Sequence, residues 1–490
     1  MDPKNMSVRT RFAPSPTGMM HVGNLRTALY AYLLAKSQNG DFILRIEDTD
    51  RERLVEKATE VIYKTLAAAG LKHDEGPDVG GSCGPYIQSE RQATGLYKKY
   101  ALMLVEKGAA YYCFCDKEEA VSEEGAEESF SAGYNGHCRN LSADEVARNL
   151  AEGKPYVIRQ KIDREGSTTY QDAVFGEITI KNEVLDDQIL LKRDGYPTYN
   201  FANVVDDHLM GITHVVRGAE YLPSTPKYNM LYQAFGWEIP CYVHLPLIMG
   251  KDAEGNVAKL SKRHGSVSFE NLCAEGYLPQ AIINYIALLG WNPKNDREIF
   301  TLSELVEAFN VAGLNKSSAI FDYEKLAWLN GEYIRSMSTA DLAAAIAPYS
   351  GLQGTRFEPA METLATLLQP RLNKLAEAGE KLAFLVACPE YGQDLFFNKK
   401  NKVNAENSKE ILQKMLPLFT DLADWDAESI NAVIMDYAAA NSLKYLTAML
   451  PLLFAVSGLK ATPGGASDLM ALLGREESIA RIEKALAVLA

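Results

Sequence analysis

Two short segments hold residue types that suit chemistry on a polyphosphate. At 21–24 the order His21-Val22-Gly23-Asn24 closes a stiff loop, Ala13-Pro14-Ser15-Pro16-Thr17-Gly18, and opens a helix. A helix N-terminus presents backbone N–H groups and the positive end of the dipole, so it suits an anion. Gly23 lets a phosphate or base approach the backbone, and the His21 imidazole can donate to a phosphate oxygen. At 259–263, Lys259-Leu260-Ser261-Lys262-Arg263 puts three cations in five residues after the polar, glycine-containing loop 250–256. A mobile cationic loop suits a polyphosphate whose charge grows during reaction. Taken singly, each segment also reads as a tight turn or a solvated basic turn. Together they point to one shared nucleotide site.

The elements around them are those of an α/β fold. Val8 to Phe12 reads as a short strand. Leu25, Ala28, Leu29, Tyr32 and Leu33 recur at helical spacing, and Asn39-Gly40 is a turn signal. In the next strand Phe42, Leu44 and Ile46 alternate with Ile43, Arg45 and Glu47. A second helix carries Leu54, Ala58, Val61, Ile62 and Leu66 on one face, with Gly70 as C-cap. Strand, helix, strand implies a right-handed crossover in a parallel sheet, whose ligand sits at the carboxyl ends of the strands. Residues 86–195 break this pattern and read as an insertion, with short strands such as Val157 to Ile162. The α/β pattern resumes with a strand from Ile212 to Val216. A helix capped at Ser224-Thr225-Pro226 follows, ending near Gly236, and then a strand from Tyr242 to Ile248. Beyond Gly265 the chain reads as helical. Pro279 opens one helix, and from about 335 onward the chain is rich in Ala and Leu, as in Ala340–Ala347, Leu364–Ala376 and Ile479–Leu489, with no strong strand pattern.

The expected architecture is an α/β Rossmann-like catalytic domain split by an α+β insertion and followed by all-α C-terminal domains. Its expected segments are 1–85 with 196–250, an insertion at 86–195, a further domain at 251–334 and a helical domain at 335–490. Composition agrees with a globular chain: of 490 residues, 47% are hydrophobic and 23% charged, which excludes disorder, collagen and a long coiled coil. The net charge of -14 excludes a generally basic nucleic-acid coat but not a local basic patch. No apolar run is long enough to span a bilayer; Tyr445 to Leu459 is interrupted by Pro451 and reads as a buried helix. The first residues lack the apolar core of a signal peptide, so a cytoplasmic location is expected. Seven cysteines, three of them at 113, 115 and 138, read as one local metal site or as plain reduced thiols.

The two segments resemble the HIGH and KMSKS motifs of class I aminoacyl-tRNA synthetases. More closely, RFAPSPTG at 11–18 with HVGN at 21–24, RIEDTD at 45–50, DGYPTYNFANVVDD at 194–207 and KLSKR at 259–263 resemble the bacterial-type glutamyl-tRNA synthetases. The matches fall in the family's order, and the likeness runs through the helical C-terminal third. It implies activation of L-glutamate by ATP with Mg²⁺ to glutamyl-adenylate, then transfer to the terminal adenosine of tRNA-Glu by an enzyme that is usually monomeric. Glutaminyl-tRNA synthetases are the near alternative, with a ProGluProAsnGly loop and a β-barrel C-terminus that this chain lacks. A non-catalytic tRNA-binding paralogue would be expected to lose His21 or a loop lysine.

The resemblance assigns roles. The glutamate pocket would use Arg11, Ala13, Ser15, Glu47, Tyr199, Asn203 and Arg217. Two arginines suit a dicarboxylate, and Glu47 can hold its ammonium. The alternative for Arg45, Glu47 and Asp48 is a strand-edge ion pair. ATP would meet Ser15, His21, Gly23, Asn24, Glu220 at the ribose, Leu247 and Ile248 at adenine, and Lys259, Ser261 and Lys262. His21, Lys259 and Lys262 would be the catalytic groups. Some family members bind Zn²⁺ in the inserted, acceptor-stem domain through Cys-X-Cys and a later Cys-X-His. Here Cys113, Cys115 and Cys138 match, but Asn140 stands where the histidine would be, leaving Tyr134 or His137 as the fourth ligand. Arg91, Lys98, Lys99 and Lys107, and likewise Lys399, Lys400 and Lys402, read either as RNA-facing patches or as exposed helix cations. The C-terminal helices would bind the anticodon.

Overall fold

A two-stranded parallel start sets the frame. The computed structural model describes residues 7–50, 55–116, 134, 136–252, 254–261, 264–265 and 267–490. It divides into two units, Met1–Leu272 with Ile282–Asp322, and Cys273–Ala281 with Tyr323–Ala490.

In the first unit β1 (Arg9–Phe12), α1 (Val22–Ser37) and β2 (Asp41–Leu44) form the expected β-α-β start. The strands pair in parallel from Arg9 opposite Asp41 to Phe12 opposite Leu44. Leu25, Ala28, Leu29 and Leu33 are buried on α1. The alternation expected around β2 is not a division into two faces. Every side chain from Phe42 to Glu47 is buried, as in a parallel sheet covered on both sides. α2 (Ala58–Ala68) buries Ala58, Ile62 and Leu66, and Gly70 follows it at φ +74°. Leu54, expected on its apolar face, lies outside the described residues.

The chain continues through α3 (Gln88–Ala93), α4 (Leu96–Glu106), β3 (Ala110–Cys113), α5 (Ala143–Ala151), β4 (Val157–Gln160), β5 (Ser167–Asp172), β6 (Gly176–Lys181) and β7 (Ile189–Leu191). β3, β4 and β7 make an antiparallel sheet of their own. The β5–β6 hairpin instead joins the resumed α/β fold: α6 (Tyr199–Leu209), β8 (His214–Gly218), α7 (Thr225–Phe235) and β9 (Cys241–Leu245) follow, in a sheet ordered β6-β5-β9-β8. Thr213 N–H donates to Arg9 C=O at 3.0 Å, which brings β8 beside β1.

The strand expected from Tyr242 to Ile248 is two strands, β9 and β10 (Ile248–Lys251), because Pro246 between them has no N–H to give a ladder. β11 (Val257–Lys259) pairs back on β10, and β12 (Ala319–Ile320) lies on its other side. The segment read as a polar loop before the lysines is therefore the tip of a hairpin, and β12 is a short strand in a stretch expected to be almost wholly helical. Tyr97, Leu104, Ile158, Phe201, Tyr228 and Leu231 form a core under α4, α6 and α7.

The second unit is built of helices, among them Thr339–Ile346, Met361–Leu368, Glu377–Val386, Tyr445–Ser457 and Arg475–Val488. Leu364–Ala376 is not one helix: it stops at Leu368, and Pro370 sits in a single 3-10 turn, Gln369–Arg371. Tyr445–Ser457 is a core helix, buried from Thr447 to Ser457 with Pro451 inside. No described helix is long and apolar enough to cross a membrane.

Candidate functional site

His21 and the segment around Lys259 meet. His21 is the N-cap of α1, and its Nδ1 accepts the Gly23 N–H at 3.0 Å. A neutral imidazole accepting at Nδ1 carries its proton on Nε2, so Nε2–H is the donor. Burial and the charge of Lys259 push the imidazole below its usual range, against hydrogen bonding to the Leu260 main chain. The backbone holds this approach. His21 and Ser268 form an antiparallel bridge, Val22 N–H donates to Val267 C=O at 2.9 Å, and Phe269 N–H to Met20 C=O at 3.0 Å. Glu270 adds a carboxylate that accepts from Met20 N–H and from Thr65 Oγ1 at 2.5 Å. The first helical N–H groups are thus partly committed: Val22 to Val267 and Gly23 to His21.

The hairpin carrying the lysine is fixed at Gly250. A Cβ there would lie 2.5 Å from the His264 ring. The Ser261 N–H donates to His264 Nδ1 at 3.1 Å, and Leu260 N–H to Ile248 C=O at 3.0 Å. Lys259 is exposed and Leu260 buried. Lys262 and Arg263 lie outside the described residues. Ile248 is buried and Leu247 half-buried beside Pro246, whose carbonyl accepts from the Arg26 guanidinium on α1. Glu220 is exposed after β8, folded over Gly218, where a Cβ would fall 2.0 Å from its carboxylate. Ser15 and Asn24 are exposed at the loop and the helix start.

The second half of the site is a buried charge cluster. Beyond the strands the parallel ladder continues, with Arg45 N–H on Phe12 C=O and Glu47 N–H on Pro14 C=O, both at 3.0 Å, so Ala13 lies opposite Arg45 and Ser15 opposite Glu47. Arg11 donates through Nε to both oxygens of Asp207 at 3.0 and 3.2 Å, and through Nη1 to Val216 C=O at 3.3 Å. That last bond brings Arg11 next to Arg217 on β8. Arg45 is shared by Glu47 Oε1 at 2.9 Å and Asp207 Oδ1 at 2.7 Å. The ion pair between Arg45 and Glu47 therefore forms, but fully buried rather than at a strand edge. Burial pushes the Glu47 carboxyl up to about 7 despite the Arg45 guanidinium. Burial also raises Asp207, but Arg11 and Arg45 outweigh it and leave the carboxyl below its usual range. Burial and the nearby Glu47 hold the Tyr199 hydroxyl far above its usual range, with its ring 5.6 Å from that of Tyr221.

Two buried polar atoms here have no protein partner, Glu47 Oε2 and Asn203 Nδ2. Buried polar groups are nearly always paired. One is an acceptor and one a donor, in a cluster that also holds two arginines. This is the polar complement of a small molecule bearing an ammonium and carboxylates.

At the end of β3, the sulfurs of Cys113, Cys115 and Cys138 lie within 4.8 Å of one another. Cys115 and Cys138 Sγ are 3.3 Å apart, and the Tyr134 hydroxyl is 3.4 Å from Cys113 Sγ. Three thiols and a phenol oxygen at this spacing fit tetrahedral zinc. Of the two candidates for a fourth ligand, Tyr134 is in the cluster and the His137 imidazole is not part of it. Arg91 is no RNA-facing cation: it is buried, with Nε on Asp206 Oδ1 at 2.7 Å. Lys98, Lys99 and Lys107 are all exposed, and Lys107 also donates to the Ala234 and Phe235 carbonyls. In the second unit Arg371, Lys381 and Lys460 border a concavity of about 480 Å³ with Thr462, Pro463 and Gly464.

Asp207 holds Arg11, and His244 and Thr225 hold Arg217, with Asp172 behind His244; sequence reasoning gave them no role in a site, Thr225 reading only as part of a helix cap. Asp207 stood in a quoted motif, VVDD, so its signal was present but unassigned. His244 and Asp172 carried none, since only the sheet order brings them together.

Comparison with known proteins extends this geometry. Residues 7–328 match the family described as tRNA synthetases class I (E and Q), catalytic domain, and residues 340–486 an anticodon binding domain. The chain is 52% identical over 485 residues to a glutamate–tRNA ligase of Lachnoclostridium phytofermentans, covering 98% of each. It is 55% identical over 480 residues to that of Clostridium novyi, covering 97% of this chain and 96% of the relative. The crystal structure of a glutamate tRNA ligase from Elizabethkingia meningosepticum in complex with its amino acid superimposes with a TM-score of 0.87 at 34% identity. It covers 99% of this chain and 100% of that one. On these grounds the chain belongs to the glutamate–tRNA ligase family of class I tRNA synthetases.

Proposed function

We propose that the protein is a glutamate–tRNA ligase that makes glutamyl-adenylate from L-glutamate and ATP, the latter as its magnesium complex, and transfers glutamate to tRNA-Glu. The observation that carries the amino-acid half is the unpaired, buried Glu47 Oε2 and Asn203 Nδ2, taken with the buried guanidiniums of Arg11 and Arg217. Glu47 takes the substrate ammonium and the arginines its carboxylates, with Ala13, Ser15 and Tyr199 lining the pocket. A charged side-chain carboxylate suits a pocket with two guanidiniums better than an amide does, which favours glutamate over glutamine.

In the first step an α-carboxylate oxygen attacks the α-phosphorus of ATP in line. The new C–O–P bond forms as the bond to the bridging oxygen of pyrophosphate breaks, and pyrophosphate carries away the electron pair. No enzyme nucleophile is needed. Lys259 and Lys262 supply the charge contacts on the phosphates and the neutral His21 Nε2–H a hydrogen bond. Glu220 meets the ribose, Leu247 and Ile248 the adenine, and Gly23, Asn24 and Ser261 line the phosphate path. In the second step the 2′-hydroxyl of the terminal adenosine attacks the mixed anhydride, and AMP leaves.

Cys113, Cys115, Cys138 and Tyr134 would hold zinc, which would pin the end of β3 to the turn at His137–Asn140; it takes no part in the reaction. The insertion at 86–195 would face the acceptor stem, residues 251–334 the stem below it, and 335–490 the anticodon, with the concavity bordered by Arg371, Lys381 and Lys460 suited to an unstacked base and its phosphate. The working form would be a cytoplasmic monomer. The test is transfer of labelled glutamate to purified tRNA-Glu. Charging that depends on ATP and is lost in Lys262→Ala, by roughly two to four powers of ten in the adenylate-forming rate, supports the proposal. Wild-type pyrophosphate exchange by that variant with tRNA present would end the assignment of the lysine.

A further inference from the structure

Arg217 is a buried cation without an anion. Only 5% of it is exposed, and among the described residues no carboxylate pairs with it, whereas Arg11, Arg45 and Arg91 each hold a buried aspartate or glutamate. Its surroundings are the rings of Tyr228 at 4.6 Å, Tyr242 at 5.1 Å and Tyr221 at 5.2 Å. Leaving a guanidinium uncompensated in such a place is costly, so the site is built for an anion that arrives.

What fixes the guanidinium is a neutral group. Arg217 on β8 is in register with His244 on β9. Its Nε–H donates to His244 Nε2 at 3.0 Å, and its Nη2 to Thr225 Oγ1 at 2.8 Å. Thr225 passes its own proton to Tyr221 C=O at 2.9 Å. The other face of the imidazole is equally defined. His244 Nδ1 lies 2.7 Å from Asp172 Oδ2, which also accepts the His244 N–H at 3.2 Å. Asp172 Oδ1 accepts the Val174 and Phe175 N–H groups at 2.9 and 2.8 Å. An aspartate accepting at both oxygens is a carboxylate, so Nδ1 must carry the imidazole proton and Nε2 must keep its lone pair. His244 is fully buried, and burial, opposed by the Asp172 hydrogen bond, pushes the imidazole below its usual range. Of the five guanidinium N–H groups, two are thus committed to the protein and three are left for a ligand.

We propose that His244, set in one tautomer by Asp172, is a positioning residue that aims Arg217 at a carboxylate of glutamate without neutralising it. A carboxylate in the place of His244 would orient the guanidinium equally well but cancel the charge the substrate needs. The neutral imidazole supplies direction alone, and the negative charge stays one residue further back on β5. This rests on the reading that Arg217 is part of the glutamate pocket.

The test uses the full chain with tRNA-Glu in ATP–pyrophosphate exchange, reading KM for glutamate, KM for ATP and thermal midpoint. His244→Phe keeps the ring and removes the acceptor; His244→Gln places an amide oxygen near the lost Nε2. Asp172→Asn offers an N–H to Nδ1 and so turns Nε2 into a donor facing a donor. The expected result is a glutamate KM raised about tenfold or more in His244→Phe and Asp172→Asn, with ATP KM within about twofold and near wild-type glutamate KM in His244→Gln. Equal losses in both KM values and in thermal midpoint, without rescue by Gln, would make His244 a structural residue and overturn the proposal. Should His244→Phe not fold, an unchanged glutamate KM in Asp172→Asn overturns it and a selective rise upholds it. Arg217→Ala separates the two readings: an unchanged glutamate KM there rejects the pocket itself. A raised KM in Arg217→Ala with none in the His244 and Asp172 variants rejects the positioning role alone.

Discussion

The backbones of His21 and Ser268 bridge each other as antiparallel partners, so a residue at the start of α1 sits on the segment just past the basic pentapeptide. His21→Ala keeps this main-chain bridge and removes only the imidazole. Its expected effect is a fall of about two to three powers of ten in the rate of pyrophosphate exchange, with glutamate KM near wild type. It also removes a helix cap, which costs about 1 kcal/mol of stability. Lys259→Ala gives a comparable rate loss with unchanged thermal midpoint, because Lys259 is exposed.

Glu47 makes glutamate binding depend on pH. Its carboxyl is pushed up to about 7 by burial, and only the carboxylate can hold an ammonium. KM for glutamate is expected to rise as pH falls from 8 to 6, approaching tenfold per unit below 7. The linkage with folding has the opposite direction. A raised carboxyl pKa favours the protonated folded state, so this group's contribution to stability is full below its ordinary 4.5 and is lost as pH rises to about 7. Glutamate KM measured across pH checks the first statement; Glu47→Gln should bind poorly at every pH and show a flat profile.

Asp207 is paired with two buried arginines, so Asp207→Asn leaves Arg11 without a carboxylate partner and Arg45 with one fewer in the core. The expected loss is about 3–5 kcal/mol in stability, read as a shift in the urea midpoint, together with impaired glutamate binding.

Gly218 leaves room for the Glu220 carboxylate, which a Cβ would displace. Its φ is -67°, so alanine suits the backbone and the effect is local. Gly218→Ala is expected to copy Glu220→Ala: a several-fold rise in KM for ATP at constant glutamate KM, read in the same exchange assay.

The thiol cluster gives an analytical prediction. Purified protein should contain about one zinc per chain, and Cys115→Ser or chelation should remove it and lower the thermal midpoint. Tyr134→Phe tests the fourth ligand, with weaker zinc retention expected. Protein without zinc, and with stability unchanged by a chelator, would show reduced thiols.

The parts legible in the sequence are those where spacing carries the signal. The helix after the 13–18 loop, the burial of Leu25, Ala28, Leu29 and Leu33, and the buried rather than membrane-spanning character of Tyr445–Ser457 all follow from period and composition. Boundaries failed where proline decided them: Pro246 cuts one expected strand in two, and Pro370 ends a helix that alanine and leucine content had prolonged. Arg91 looked like a surface cation because its partner, Asp206, is 115 residues away. His244 was invisible for the same reason. Its role exists only once β5, β9 and β8 lie side by side, and no local pattern reports that order.

ATP–pyrophosphate exchange measured with glutamate and with glutamine, each with and without tRNA-Glu, tests the central claim most directly. The account predicts exchange that requires glutamate, is weak with glutamine under every condition, and falls sharply in His21→Ala. Exchange supported by glutamine as well as by glutamate, or no exchange with glutamate even when tRNA-Glu is present, would contradict it.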